Sequence, residues 1–186
     1  MSVSNVSEQI KQHEALADRV LAEQVALMCR LTTSPLFAST ILGLMFCWLT
    51  FEDYGLIPTL TWYGALMLVT LIRWRVAKAY LSQPQPERDV HRWRLMMLLL
   101  AAVAGAVWSV PGSLMLPTDR EKEIVVTILL IGATASGVGS QAPVRHAYTC
   151  LLIPFVLPYA IVQFAMGGER VISGLGMLIY IPVVLV

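Results

Sequence analysis

Six long apolar runs follow one another along this chain and leave few folds open to it. They cover about 34–51, 56–74, 94–116, 123–142, 147–166 and 171–186, and short polar or turn-forming pieces separate them. A helix needs roughly 20 mostly apolar residues to cross the hydrocarbon core of a bilayer. We therefore predict an all-α fold, a polytopic membrane helix bundle with about six transmembrane helices over residues 34–186.

The composition agrees with a membrane location. Of the 186 residues, 57% are apolar and only 13% are charged, which is too little charge to cover a soluble domain of this size. The 13 basic and 12 acidic residues nearly cancel, so we expect no nucleic-acid partner. The polar first thirty residues lack the apolar core of a cleavable signal peptide.

The positions of the basic residues predict the orientation. If the N-terminus is inside, all but three of the 13 Lys and Arg residues fall on the cytoplasmic side, as the positive-inside rule requires. We therefore place both termini in the cytoplasm and the protein in the bacterial inner membrane, in contact with lipid. Trp74 and Trp93 then fall at the inner interface, and Trp48 and Trp62 fall towards the outer one.

Residues 1–33 form the second predicted unit, a cytoplasmic amphipathic helix over about 7–31 with Ser7 as its N-cap. Its apolar residues recur at steps of three and four: Ile10, Ala17, Leu21, Met28 and Leu31. Such a helix can lie on the membrane surface or pack on the bundle. Alternatively it can pair with a second copy, and we expect a homodimer.

The fourth apolar run is rich in small residues. Gly132, Ser136 and Ser140 share one helix face, and Gly137 lies on the adjoining face. Small residues at four-residue spacing let two helices approach closely in lipid, so we assign these four positions to helix packing. A cavity opened by the missing side chains is the alternative.

Pro154 and Pro158 lie four residues apart in the fifth run. Each proline removes a backbone donor and disturbs the turn before it. We therefore predict a kink or local unwinding, which is either purely structural or a functional hinge.

Catalytic chemistry is not indicated. The predicted helix cores hold no Asp, Glu, Lys or Arg away from their ends, although intramembrane charge usually marks ion pathways. His13, His91 and His146 fall in predicted cytoplasmic segments, which argues against haem ligation across helices. No nucleophile, metalloprotease or nucleotide-binding motif is present. We expect no enzyme activity in this chain and no cofactor or metal.

Uncharged polar and aromatic side chains in the apolar runs are the remaining candidates for recognition. Each could simply be packed with a satisfied hydrogen bond, but together they allow a small apolar or amphipathic signal ligand between helices. The candidate ligand-binding residues are Trp108, Gln141, Tyr148, Tyr159, Gln163 and Tyr180.

The last run is short for a crossing. Residues 171–186 make roughly 24 Å of helix, and no Lys or Arg marks its inner end. We expect the natural chain to continue from here into a cytoplasmic output domain.

Scattered residues along the whole chain resemble a known type of membrane region. They are Glu23-Gln24-Val25, Trp62, Arg73 to Tyr80, Trp93, Gly105-Ala106-Val107-Trp108, the small-residue fourth run, Ala142-Pro143, Pro154 and Pro158. The layout resembles the multi-helix sensor regions that precede GGDEF, EAL or histidine-kinase modules in proteobacterial signalling proteins. Ser109 departs from the pattern, since such sequences often place a glycine there.

This resemblance implies a dimeric sensor that passes a signal to cyclic-di-GMP turnover or to phosphotransfer. The expected function is thus a membrane-embedded signal-input module. A passive anchor and dimerisation module is one alternative. A small transporter component is the other, and it would need a continuous polar path through the bundle.

Overall fold

The computed structural model describes residues 3–84, 89–144 and 146–185. This part of the chain forms helices joined by short links. In chain order the helices are α1 (Val3–Leu31), α2 (Thr33–Tyr54), α3 (Leu56–Ser82), α4 (Val90–Ser113), α5 (Arg120–Gln141), α6 (Ala147–Met166) and α7 (Arg170–Leu185).

The predicted fold class, an all-α helical bundle, is confirmed. Five described stretches are long and apolar enough to cross a membrane, namely Ala15–Tyr54, which joins α1 to α2, and the helices α3 to α6. The sixth predicted crossing corresponds to α7, a shorter apolar helix of 16 residues. Its crossing of a membrane stays a prediction.

Side-chain caps explain where two helices begin. α4 and α5 each start about one turn before the apolar run, because an aspartate precedes the first helical residue. The Asp89 side chain accepts from the Arg92 amide at 3.1 Å, and the Asp119 side chain accepts from the Glu121 amide at 2.9 Å. Such caps satisfy amides that have no partner within the helix. The N-cap prediction for Ser7 is wrong, since α1 already begins at Val3.

The links between helices collect at two ends of the bundle. The Gly55 end holds the α2–α3, α4–α5 and α6–α7 links, and the α1 end holds α1 with the α3–α4 and α5–α6 links. At the Gly55 end the Tyr54 hydroxyl donates to the Leu116 carbonyl at 2.6 Å, and Lys122 pairs with Glu52 at 2.7 Å. These contacts fix the α2–α3 turn against the α4–α5 link.

At the α1 end, α1 packs on the bundle. Val25 and Met28 are buried in a cluster with Ala77 and Tyr80 of α3. The Tyr80 hydroxyl also donates to the Ala22 carbonyl at 3.0 Å. The C-terminal half of the amphipathic helix is therefore part of the bundle rather than a separate surface helix.

Among the described residues, α4 and α6 share the most extensive helix contact, and their backbones approach each other closely. A Cβ added to Gly105 would lie 2.1 Å from the Leu151 carbonyl oxygen, and one added to Gly112 would lie 2.7 Å from the Tyr159 ring. Only glycine fits at such distances, so these two residues set how near α4 comes to α6.

An aromatic cluster fills the centre of the bundle beside this contact. The Trp62 ring is buried edge-on against Phe46 and Trp108, at centroid distances of 5.0 and 5.7 Å. Its indole N–H donates to the Val107 carbonyl at 2.8 Å. Placing Trp62 in an interfacial belt was therefore wrong, because its polar edge finds a partner inside the protein. Trp48 is 81% exposed and faces outward.

Candidate functional site

Four of the six candidate recognition residues fall into two separate groups. Tyr159 and Gln163 lie towards the Gly55 end of α6, where they meet the first turn of α5. Trp108 and Gln141 line a small cavity towards the α1 end. The predicted set is therefore not one site but two, near opposite ends of the bundle.

Glu123 is the centre of the first group. Its Oε1 accepts from Gln163 Nε2 at 3.3 Å and lies 3.0 Å from Arg120 Nη1. Its Oε2 accepts from Arg170 Nε at 3.2 Å and from Nη2 at 3.0 Å. The Glu123 cluster is defined here as Arg120, Glu123, Thr127, Tyr159, Gln163 and Arg170.

Helix periodicity assembles the Glu123 cluster. Glu123 and Thr127 are one turn apart on α5, and Tyr159 and Gln163 are one turn apart on α6, so each pair shares a helix face. The Thr127 hydroxyl lies 3.0 Å from the Tyr159 hydroxyl. After α6, Gly167 and Gly168 adopt positive φ angles of 70° and 61°. This turn favours glycine and brings the start of α7 back to Glu123.

The electrostatics of the Glu123 cluster favour a fixed, ionised carboxylate. Glu123 is only 2% exposed, and a buried charge is tolerated when charged partners and hydrogen bonds surround it. Two guanidinium groups supply that compensation, and the positive end of the α5 dipole adds to it. Both carboxylate oxygens are engaged, so the cluster is suited to joining α5, α6 and α7 rather than to proton transfer.

One hydrogen-bond acceptor in the Glu123 cluster has no donor among the described residues. Gln163 is 0% exposed, and its Oε1 has no hydrogen-bond partner. Buried side-chain oxygens without a partner are uncommon and call for an explanation. This atom could accept from a nearby donor if the helices shifted.

The second group lines a cavity of about 20 Å³. Trp108, Ser136, Ser140 and Gln141 contribute to its wall, and so does Arg73. A volume of this size holds a group about as large as water, well below the roughly 300 Å³ of a pocket for drug-sized ligands. An amphipathic ligand among these side chains would require the cavity to widen, and its binding stays a prediction.

Tyr148 and Tyr180 belong to neither group. The Tyr148 hydroxyl donates to the Thr134 carbonyl at 3.2 Å, which ties α6 to α5. Tyr180 on α7 is a half-buried neighbour of Tyr148. Both phenols thus stand at helix contacts between the two groups.

The α6 prolines and the α5 small residues have different surroundings. α6 runs as one helix through Pro154 and Pro158, so the predicted local unwinding is not observed, and the hinge stays a prediction. Gly137 is buried against Leu151 of α6. Gly132 is exposed, with no atom within 4 Å of an added Cβ. Within one chain it therefore makes no close helix contact, contrary to its assignment.

Hydroxyl donors of the small-residue face are used inside α5. Ser136 donates to the Ala133 carbonyl at 2.8 Å, and Ser140 donates to the Gly137 carbonyl at 3.1 Å. Their role in packing is thus that the side chains are small, while their hydroxyl groups are hydrogen-bonded within α5. They do not bridge to another helix through these protons.

The sequence reasoning missed the charged residues of both groups. Glu123, Arg73 and Arg170 were assigned to the ends of apolar runs, where charge meets water. One usable signal was Gln163, an amide in an otherwise apolar helix, because a buried amide requires partners. No residue near Gln163 in the sequence supplies them, so the partner had to come from another helix.

Neither group has the composition of a metal centre. Within residues 3–84, 89–144 and 146–185, no three His, Cys, Asp or Glu side chains come together. His91 lies 3.3 Å from Asp18 instead. Comparison with protein-family models, with curated proteins and with solved structures finds no match to this chain.

Proposed function

We propose that this chain is a membrane-embedded signal-input module that controls a cytoplasmic output domain, in cyclic-di-GMP turnover or in histidine-kinase phosphotransfer. It would lie in a bacterial inner membrane with the α1 end in the cytoplasm. The observation that carries the proposal is the contact between Glu123 and Arg170, which ties the start of α7 to the start of α5. α7 is the helix that would transmit a conformational change in the bundle to the output domain.

A sensor needs an element with two arrangements and a signal that favours one of them. The Glu123 cluster supports such an element, because it joins charged residues of α5 and α7 to polar residues of α6 and holds one unused acceptor on Gln163. A small displacement of α7 would exchange one set of partners for another. Discrete polar contacts of this kind favour two states over continuous movement.

The packing of α7 supports transmission from α6. A Cβ added to Gly174 of α7 would lie 3.2 Å from the Gln163 Cβ and 3.4 Å from the Ala160 carbonyl oxygen. α7 therefore rests directly on the α6 backbone, beside Gln163 of the Glu123 cluster. A shift of α6 cannot be absorbed by loose side chains at this contact and would move α7.

A passive anchor and dimerisation module is the second candidate, and one observation favours it. Leu16, Val20, Leu27 and Leu31 are exposed along one stripe of α1. Such a stripe on a helix outside the main bundle fits pairing with a second copy. Anchor and sensor differ in whether the bundle interior affects the output.

The test uses the natural full-length protein in its own membrane. Glu123→Gln and Arg170→Gln remove the two partners of the α5–α7 contact, and Glu121→Gln, on the exposed face of the same helix turn, is the matched control. Cellular cyclic-di-GMP and autophosphorylation in isolated membranes are measured, with membrane insertion checked for each variant.

A signal-input module predicts that Glu123→Gln and Arg170→Gln shift the output in the same direction, whereas Glu121→Gln leaves it unchanged. Unchanged output in both variants, with normal insertion, would contradict the proposal and favour the anchor. Exchange of residues 34–186 for an unrelated dimeric anchor should then also preserve regulation.

A further inference from the structure

Five helices meet around the cavity at the α1 end of the bundle. Its wall includes one polar or aromatic residue from each of four helices and three from α5: Ser39, Arg73, Trp108, Ser136, Ser140, Gln141 and Phe155. An enclosed space with this lining is unlike the empty apolar voids of a helix bundle.

Arg73 brings a positive charge to this cavity without a counter-charge. Arg73 is half-buried, and its side chain lines the cavity. No acceptor among the described residues hydrogen-bonds or ion-pairs with it. The neighbouring basic residues behave differently. Arg75 and Lys78 are exposed and lie over the Trp74 ring at 5.9 and 4.8 Å. Arg73 alone of these three faces the interior.

Gln141 is a second unsatisfied group in the same wall. It is 1% exposed, and its Oε1 has no hydrogen-bond partner. The two ends of a side-chain amide exchange by rotation about the last torsion, so Gln141 can present either a donor or an acceptor. The cavity therefore joins a half-buried cation to a buried amide whose oxygen lacks a partner.

We propose that this cavity binds one small monovalent anion, of the size of a halide ion or a single carboxylate group, paired with Arg73. An uncompensated charge within a membrane bundle is costly, and charged residues there usually mark a functional site. A water molecule would satisfy hydrogen bonds but would leave the charge uncompensated. The anion supplies both an acceptor for the guanidinium and a partner for the Gln141 amide.

The cavity volume limits the ligand to this class. About 20 Å³ accommodates one halide or the end of a carboxylate with little adjustment, but not a phospholipid headgroup. The carboxylate could belong to a dissolved anion or to a fatty acid in the bilayer, and the chemistry at Arg73 is the same for both. The anion site does not depend on the proposed signalling role, because anion binding is measured on this protein itself and not through an output domain.

The experiment measures thermal unfolding of the full chain in a neutral detergent, by intrinsic tryptophan fluorescence. Sodium formate or sodium chloride replaces sodium isethionate, a bulky sulfonate, at constant ionic strength, and decanoate is added in the micelles as the fatty-acid arm. Arg73→Gln is compared with Arg75→Gln, which removes an equal charge from the exposed face of the same helix.

The unaltered protein and Arg75→Gln should show a saturable rise in Tm with formate or chloride, and Arg73→Gln should weaken the apparent affinity by roughly tenfold or more. A response to decanoate alone would identify a fatty acid as the source. No saturable response to any of the three probes overturns the proposal, as does an unchanged response in Arg73→Gln.

Gln141→Glu keeps the test decisive if Arg73→Gln does not fold. This variant places a carboxylate in the cavity wall as a built-in partner for Arg73. It should fold, melt higher than the unaltered protein in isethionate, and no longer respond to formate or chloride. A response equal to that of the unaltered protein would overturn the proposal.

Discussion

Arg170, the first residue of α7, donates from Nε and Nη2 to Oε2 of Glu123, the fourth residue of α5, at 3.2 and 3.0 Å. The two residues are 47 positions apart, and all of α6 lies between them in the chain. The contact therefore closes a loop of helices at the Gly55 end. Because Glu123 is buried while Arg170 reaches the surface, the carboxylate is the member that depends on the pairing.

Glu123→Ala should lower the free energy of unfolding by about 3 kcal/mol, since removing one member of a buried ion pair costs roughly 3–5 kcal/mol. The lower figure is expected because Arg120 and Arg170 are partly exposed and can be hydrated. Unfolding by SDS titration in mixed micelles measures the change. Glu121→Ala, at an exposed position in the same helix turn, should change it by less than about 0.5 kcal/mol. Equal losses in both variants would contradict a structural role for the Glu123 cluster.

Gly105→Ala should destabilise the bundle more strongly than its size suggests. The added methyl group would lie 2.1 Å from the Leu151 carbonyl oxygen, and backbone cannot yield as a side-chain tip can. We expect a loss of about 2–3 kcal/mol from overpacking, measured by the same titration. Gly132→Ala is the matched control, because its added Cβ meets no atom within 4 Å. It should be neutral or stabilising by up to about 1 kcal/mol, and a loss as large as that of Gly105→Ala would refute the packing argument.

The helices could be predicted from the sequence because membrane helices carry their signal locally. The run 147–166 coincides with α6, since the link after Gln141 and the glycines after Met166 bound it on both sides. The apolar run of α5 begins three residues after the helix itself, because Arg120, Glu121 and Lys122 are polar although helical. A hydropathy pattern marks the apolar part of a helix, whereas a capping aspartate marks its true beginning.

The candidate site could be predicted only in part, because pairing between helices is not a local property. Tyr159 and Gln163 were identified as unusual polar groups in an apolar helix, but nothing near them in the sequence indicates Glu123. Gly132 was chosen for its spacing, and spacing alone does not tell which helix face meets a neighbour. The close approach instead occurs at Gly105, where α4 meets the α6 backbone.

Trp62→Phe should destabilise the bundle by about 1–3 kcal/mol. The change removes the hydrogen bond from the indole N–H to the Val107 carbonyl and leaves that acceptor without this donor. It also replaces the indole by a smaller ring, which reduces the area of the edge-on contact with Trp108. Trp48→Phe, at an exposed position, should stay within about 0.5 kcal/mol of the unaltered protein. A larger effect at Trp48 than at Trp62 would contradict the central position of the aromatic cluster.

Cysteine labelling should show which end of the bundle faces the cytoplasm. Thr118→Cys and Ser82→Cys place a thiol at exposed positions of the Gly55 end and the α1 end, respectively. With the predicted orientation, a membrane-impermeant maleimide labels Thr118→Cys in intact spheroplasts and Ser82→Cys only after permeabilisation. The unaltered chain, with its three native cysteines, gives the background. The reverse pattern would invert the topology and place α1 outside.

Tyr80→Phe should loosen α1 while leaving the membrane-spanning helices in place. The variant removes one hydroxyl, whose hydrogen bond to the Ala22 carbonyl joins α3 to the middle of α1 at 3.0 Å. The ring itself stays packed edge-on against Trp93 at 5.5 Å, so the core around it is preserved. Amide hydrogen exchange should therefore rise across the C-terminal half of α1, by roughly fivefold for a loss of about 1 kcal/mol. Tyr63→Phe, on the same helix nearer the Gly55 end, is the control and should leave exchange in α1 unchanged. Unchanged exchange in Tyr80→Phe would mean that the apolar contacts of Val25 and Met28 alone hold α1 on the bundle.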